Sequence, residues 1–227
     1  MFTLKDVVPW GRSFDEYRRM FALSGDDLRK RILGCGDGPA SFNAEATLLG
    51  GNVISCDPLY GFSKADIKQR IDETIQAVID QTQKNATEFV WNDKVPNIKT
   101  LAEIRTRAMQ RFLDDYDDGK LSGRYVEAQL PKLPFEENAF DIAVCSHFLF
   151  LYSDQLSEGF HIASIKELCR VSMDVRLFPL LELGSVPSRH AAAVARRLKD
   201  EGYQVRVEAV DYEFQRGGNQ MMRVQIA

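Results

Sequence analysis

The sequence predicts an α/β fold with a mostly parallel sheet. Three observations predict it. Near-continuous apolar runs such as Val53-Ile54-Ser55-Cys56 and Phe140 to Ser146 (FDIAVCS) read as strands buried on both faces. Segments with helical periodicity alternate with these runs, which is the rhythm of βαβ units. The C-terminal stretch breaks the rhythm: two strand-like runs flank Gln215-Arg216-Gly217-Gly218-Asn219, a hairpin signal.

Taken in order, Ser13 is a candidate N-cap for a short amphipathic helix carrying Phe14, Tyr17, Phe21 and Leu23. Arg31-Ile32-Leu33 reads as the end of a strand entering Gly34-Cys35-Gly36-Asp37-Gly38. Pro39 suits the first turn of the next helix, where its missing N–H costs little, and Gly50-Gly51 stop that helix. A second strand, Asn52 to Cys56, ends at Asp57-Pro58. The chain before the third strand is too long for an ordinary loop. It is read as a helical insertion at about 61–121. Ser63 with Asp66 and Thr100 with Glu103 look like capping boxes, and the two helices join around Trp91-Asn92-Asp93. The acidic run Asp114-Asp115-Tyr116-Asp117-Asp118 opposes a helix dipole and is expected to fray into solvent. Arg124 to Ala128 and Phe140 to Ser146 are the next strands, and 156–171 a helix. Val175 to Leu181 is a strand in which Pro179 implies a bulge, an edge or an early end. A helix over 187–202 precedes the final hairpin, Tyr203 to Phe214 and Met221 to Ile226.

The 227 residues suit one domain spanning 1–227. Hydrophobic residues make up 44% and charged residues 27%, ordinary globular usage that argues against general disorder. A formal charge of −4 argues against a strongly basic nucleic-acid surface and, weakly, for a small-molecule substrate. Cys35, Cys56, Cys145 and Cys169 lack zinc-knuckle or redox spacing and are expected to be reduced and buried; no metal ligand is assigned. The opening residues lack a signal-peptide pattern and no apolar stretch is long enough to span a membrane, so a soluble cytoplasmic protein is expected. Oligomeric state is not legible.

The glycine loop carries the chemistry. In an open α/β sheet, ligands collect at the carboxyl ends of the strands, where this loop falls. Glycines admit close backbone approach and positive φ, and a helix N-terminus offers free N–H groups. Pro39-Ala40-Ser41 follows the loop instead of Lys-Ser/Thr, which removes a phosphate-binding P-loop. The spacing is GxGxG, one residue short of the dinucleotide GxGxxG. Asp57, about 20 residues on, stands where an acid clamps two ribose hydroxyls. A dinucleotide and an adenosyl sulfonium both need such an acid.

ILGCGDG, VISCDPLY and LPFEENAFDIAVCSHFLFLY together resemble the class I S-adenosylmethionine-dependent methyltransferase family, from about Lys30 onward excluding the insertion. PWGRSFDEY, CGDGPASFNAE and SHFLFLYS further resemble a bacterial subgroup of methyltransferase-like proteins. The resemblance implies a Rossmann-like seven-stranded mixed sheet with an antiparallel C-terminal strand. It implies S-adenosyl-L-methionine as cofactor, with Gly34, Cys35, Gly36 and Gly38 against its methionine part. Asp57 would take the ribose, and Pro58, Gln129 and Leu130 the adenine. Ser146 and His147 would face the sulfonium and the acceptor, and Arg12 the methionyl carboxylate. His147 is the candidate general base; His161 and His190 read as structural or exposed. One departure stands out: Ile32 occupies the position where the family usually carries an acid for the methionyl ammonium. A cofactor-binding protein without catalysis, motivated by Ile32, and a nicotinamide-dependent oxidoreductase remain as alternatives.

Overall fold

The computed structural model describes residues 9–226. The signal-peptide reading rests mainly on residues 1–8, outside them. The strands are β1 (Arg31–Cys35), β2 (Asn52–Cys56), β3 (Tyr125–Val126), β4 (Phe140–Ser146), β5 (Ser172–Phe178), β6 (Leu181–Glu182), β7 (Val186–Pro187), β8 (Tyr203–Ala209) and β9 (Gln220–Ile226). The helices are α1 (Phe14–Met20), α2 (Phe42–Leu48), α3 (Lys64–Lys84), α4 (Ile98–Leu121), α5 (Glu158–Val171) and α6 (Ala191–Asp200). Seven strands form one sheet in the order β3-β2-β1-β4-β5-β9-β8, and β6 and β7 pair separately. β9 runs antiparallel to both β5 and β8, and the remaining pairs are parallel. The order turns between β1 and β4, the switch point at which ligands collect.

Strand alternation splits the core in two. Leu33, Cys35, Cys56, Ala143 and Cys145 face a cluster with Ile165 and Leu168 of α5 and Val194 and Leu198 of α6. Ile32, Val53, Ile142 and Val144 face the other way, into a cluster with Tyr17 and Met20 of α1 and Phe42 of α2. Register puts Cys56, Cys35 and Cys145 side by side, and all four cysteines are free and buried. A third cluster joins the insertion to the sheet edge through Ile67, Phe112, Tyr116 and Tyr125.

Several sequence expectations shift. α2 starts at Phe42, so Pro39 lies in the turn before it rather than in its first turn. The Ser13–Glu16 and Ser63–Asp66 capping boxes form. α4, however, is capped by Asn97, whose side chain accepts from Thr100 N–H, three residues before the expected cap. The acidic run does not fray: α4 continues to Leu121, Tyr116 is buried, and Asp115 pairs with Arg124 at 2.7 Å. β3 is only two residues long, β5 ends just before Pro179, and α6 begins at Ala191 because Val186–Pro187 pair with β6 instead.

A buried ion pair ties the N-terminal helix to the insertion. Arg105 of α4 donates through both terminal nitrogens to Glu16 of α1, and Tyr212 donates to the same carboxylate at 2.8 Å. Burial pushes the Glu16 carboxyl up, but the Arg105 charge and hydrogen bonds outweigh it and hold it at about 2. Among the described residues no helix is long and apolar enough to cross a membrane.

Candidate functional site

A cavity of about 1100 Å³ opens at the carboxyl ends of β1, β2 and β4. Its wall brings together Arg12, Cys35, Gly36, Gly38, Asp57, Pro58, Gln129, Leu130, Ser146 and His147, which lie far apart in sequence. Gly34 is the one expected contact missing from it.

Gly34 has another task. A Cβ built there would stand 1.8 Å from Oδ2 of Asp37. The missing side chain lets the Asp37 carboxyl fold back beneath the strand. There it accepts from the Tyr17 hydroxyl at 2.8 Å and from the Ser55 hydroxyl at 2.6 Å. Burial pushes this carboxyl up, and the nearby Asp57 charge adds to the effect. The two hydroxyls oppose it, and the result is about 7. Gly36 and Gly38 have φ of +68° and +52°, a left-handed backbone that favours glycine. A Cβ on Gly36 would lie 3.3 Å from Phe148, so the loop packs closely on the β4–α5 connection.

Asp57 stands at the end of β2, as the sequence predicts. Its Oδ2 accepts from Gly38 N–H and its Oδ1 from Leu59 N–H, each at 2.8 Å. Burial raises its pKa while these two bonds pull it down. The Tyr60 hydroxyl donates to Gly38 O at 2.8 Å. The glycine loop is thus pinned from below by Asp37 and from the side by Asp57 and Tyr60.

Arg12 precedes α1 and reaches into the cavity. Its Nη1 donates to Trp10 O at a long 3.4 Å, and its buried Nε has no partner. Burial, then the neighbouring Arg105 charge, lower its pKa. A half-buried guanidinium whose buried Nε lacks a partner can receive an anion.

Ser146 ends β4 and His147 follows with φ of +54°. His147 N–H donates to Phe178 O at 2.7 Å, which holds this left-handed residue in place. Its Nδ1 shares a hydrogen with Ser146 Oγ at 2.8 Å, leaving Nε2 as the open ring position. Burial, then Arg12 and Arg105, hold the imidazole well below its usual pKa, so it is neutral near pH 7. His161 is buried and structural: its Nε2 accepts from Phe150 N–H at 3.0 Å.

Ile32 is fully buried among Phe14, Tyr17 and Phe42, so the place of the usual acid is apolar core. The acid at the loop is Asp37, which sequence reasoning assigned no role. Its signal was the short GxGDG spacing itself. Sequence reasoning also missed Trp10, Tyr60 and the cavity wall formed by Val78, Phe89, Leu183 and Phe214.

The sheet order, with one antiparallel strand between β5 and β8, defines a Rossmann-like methyltransferase fold. The particular family follows from one relative. The chain is 34% identical over 225 residues to the Methanocaldococcus jannaschii protein "Uncharacterized protein MJ0045", covering 96% of each, and belongs to the same family. That relative is archaeal and lends no support to the bacterial placement. No protein-family model matches the chain. Among solved structures, the methyltransferase domain of bacterial CtHen1 is 13% identical over 94% of this chain and 100% of its own, with a TM-score of 0.49. Magnesium protoporphyrin IX methyltransferase from Synechocystis PCC 6803, with bound SAM, is 11% identical over 94% and 78%, with a TM-score of 0.48. A SAM-dependent methyltransferase from Aquifex aeolicus is 14% identical over 94% and 89%, with a TM-score of 0.45.

Proposed function

We propose that this chain is an S-adenosyl-L-methionine-dependent methyltransferase acting on a small molecule. One observation carries the reading. A glycine cradle, an acid at the end of the next strand and a half-buried guanidinium with an unpartnered buried nitrogen all line one cavity at the switch point. That set matches the methionine carboxylate and the ribose of such a cofactor. Gly36 and Gly38 admit the methionine part, Arg12 pairs with its carboxylate, and Asp57 accepts from the ribose. Pro58, Gln129 and Leu130 border the adenine. When bound, the cofactor supplies an electrophilic methyl group. The protein's part is to align the acceptor with it, exclude water and take the acceptor's proton at Nε2 of His147. A nicotinamide-dependent oxidoreductase fits less well, since the spacing falls short of GxGxxG and the sheet ends in a β9–β8 antiparallel pair.

Calorimetry with S-adenosylmethionine, S-adenosylhomocysteine and NAD tests the reading. The two sulfur compounds are expected to bind and NAD is not. Asp57→Ala is expected to weaken S-adenosylhomocysteine at least about ten-fold, the loss of a charge-assisted pair. Binding of NAD alone, or no binding of either sulfur compound, sinks the proposal. Ile32 in the core favours a second reading, cofactor binding without turnover. Tight binding with no methyl transfer to any acceptor, including one shown to occupy the cavity, distinguishes it.

A further inference from the structure

At about 1100 Å³ the cavity exceeds the roughly 300–1,000 Å³ common for one drug-sized ligand. Beside the residues assigned to the cofactor, the wall holds a mainly apolar group, Val78, Phe89, Leu151, Leu183 and Phe214, with the polar Thr82 and Gln215 among them; Gln215 Oε1 is buried without a partner. They come from elements added to the sheet and are tied to one another. Phe89 and Phe214 stack with centroids 4.8 Å apart, and Val90 N–H donates to Phe214 O at 2.8 Å. Leu183 N–H donates to Leu151 O at 3.2 Å, and the Ser185 hydroxyl donates to Glu88 O at 2.9 Å. Val78, Phe89, Phe214 and Leu183 share a cluster with Phe178, whose ring lies edge-on to His147 at 5.4 Å. These residues line the same cavity as the proposed base. The charged lining residues of α3, Asp66, Arg70 and Glu73, are exposed, as is Phe62 at 57%, and they form the mouth.

We propose that this part of the cavity is the acceptor site, and that the acceptor is an apolar aromatic small molecule bearing a phenolic hydroxyl that meets His147. The proposal rests on the methyltransferase reading above. Thr82 and Gln215 are uncharged, so this part of the wall would not compensate a charged acceptor; Gln215 Oε1 can accept one hydrogen bond from it, and the stacked Phe89 and Phe214 rings offer faces and edges to another ring. An imidazole with its Nε2 open to the cavity is a weak base. It suits a phenol, with a pKa near about 10, and not an aliphatic alcohol, which is far less acidic. In the transfer, the phenolic oxygen bonds to the methyl carbon as the carbon–sulfur bond breaks toward sulfur. The hydroxyl proton passes to Nε2 of His147, and the sulfonium becomes a neutral thioether.

The test is calorimetry on the full chain saturated with S-adenosylhomocysteine, with 4-phenylphenol as probe and 4-hydroxybenzoate as its charged counterpart. 4-Phenylphenol is expected to bind at least about ten-fold tighter. Leu183→Glu is expected to weaken it at least ten-fold while S-adenosylhomocysteine affinity stays within two-fold. Leu183→Gln, of nearly constant size, replaces it if the glutamate costs the fold. Binding of S-adenosylhomocysteine without 4-phenylphenol, or with 4-hydroxybenzoate equal to it, overturns the acceptor site and spares the cofactor reading. Binding of 4-phenylphenol that Leu183→Glu abolishes, without any S-adenosylhomocysteine binding, upholds an aromatic site and removes the cofactor reading. Failure of both ligands overturns both.

Discussion

Gly34 and Asp37 are a pair that only folding reveals. The glycines read as a ligand cradle, and for Gly36 and Gly38 the positive φ values bear out the conformational part of that reading. Gly34 instead makes room for a carboxyl three residues ahead of it. Gly34→Ala is therefore expected to destabilise the protein by about 1–3 kcal/mol, the usual range for overpacking. In an Asp37→Ala background the atoms that would clash are gone, so the same change is expected to cost clearly less. Urea unfolding of the four proteins of the cycle measures this, and additive costs would show that Asp37 is not what excludes the Cβ. Sequence could not supply the pairing, because periodicity locates a strand end but does not say where a loop side chain turns back. Ile32 is the reverse case: its residue type already indicated an apolar environment, and it is fully buried.

At the scale of elements, strong periodicity was legible and local competition was not. Strands β2 and β4 fall where the sequence puts them, since burial on both faces demands mostly apolar residues. The start of α4 moved to Asn97 because Asn at an N-cap competes well with Thr, and both were available within four residues. The acidic end of α4 stays helical because Arg124 and the Tyr125 hydroxyl, just past the helix, donate to the Asp115 carboxylate. The same physics, in the core, fastens α1 to α4. Arg105 is fully buried against Glu16, and its own Nε already lacks a partner. Removing Glu16 leaves a buried cation without its counter-charge. Glu16→Ala is expected to cost about 3–5 kcal/mol, against a smaller loss for Tyr212→Phe, which removes one neutral donor. Urea midpoints of the two variants decide it. Equal, small effects would mean that the pair does not hold α1 on the insertion.

For the whole molecule, three buried carboxyls set opposite slopes of stability against pH. Glu16 lies at about 2, where Arg105 outweighs burial. Asp27 is also at about 2: burial raises it, but Lys30, the Ser24 N–H and Arg176 bring it down. Groups with lowered pKa add stability that is present above their unfolded values and lost as pH falls toward 2. Asp37 has the other sign. Its pKa rises from 3.8 to about 7, so its contribution is complete below 3.8 and lost as pH climbs through 7. A displacement of that size corresponds to roughly 4 kcal/mol. Stability is therefore expected to fall at the acid end through Glu16 and Asp27. It is also expected to decline between about pH 4 and 7 through the loop that cradles the proposed cofactor. Asp37→Asn, which cannot ionise, is expected to remove the second decline and leave the first. Urea unfolding of both proteins at intervals from pH 3 to 8 gives the comparison. If the two curves stay parallel from pH 4 to 7, the Asp37 carboxyl is already charged at its place beneath β1, and its burial is compensated by more than the two hydroxyls of Tyr17 and Ser55.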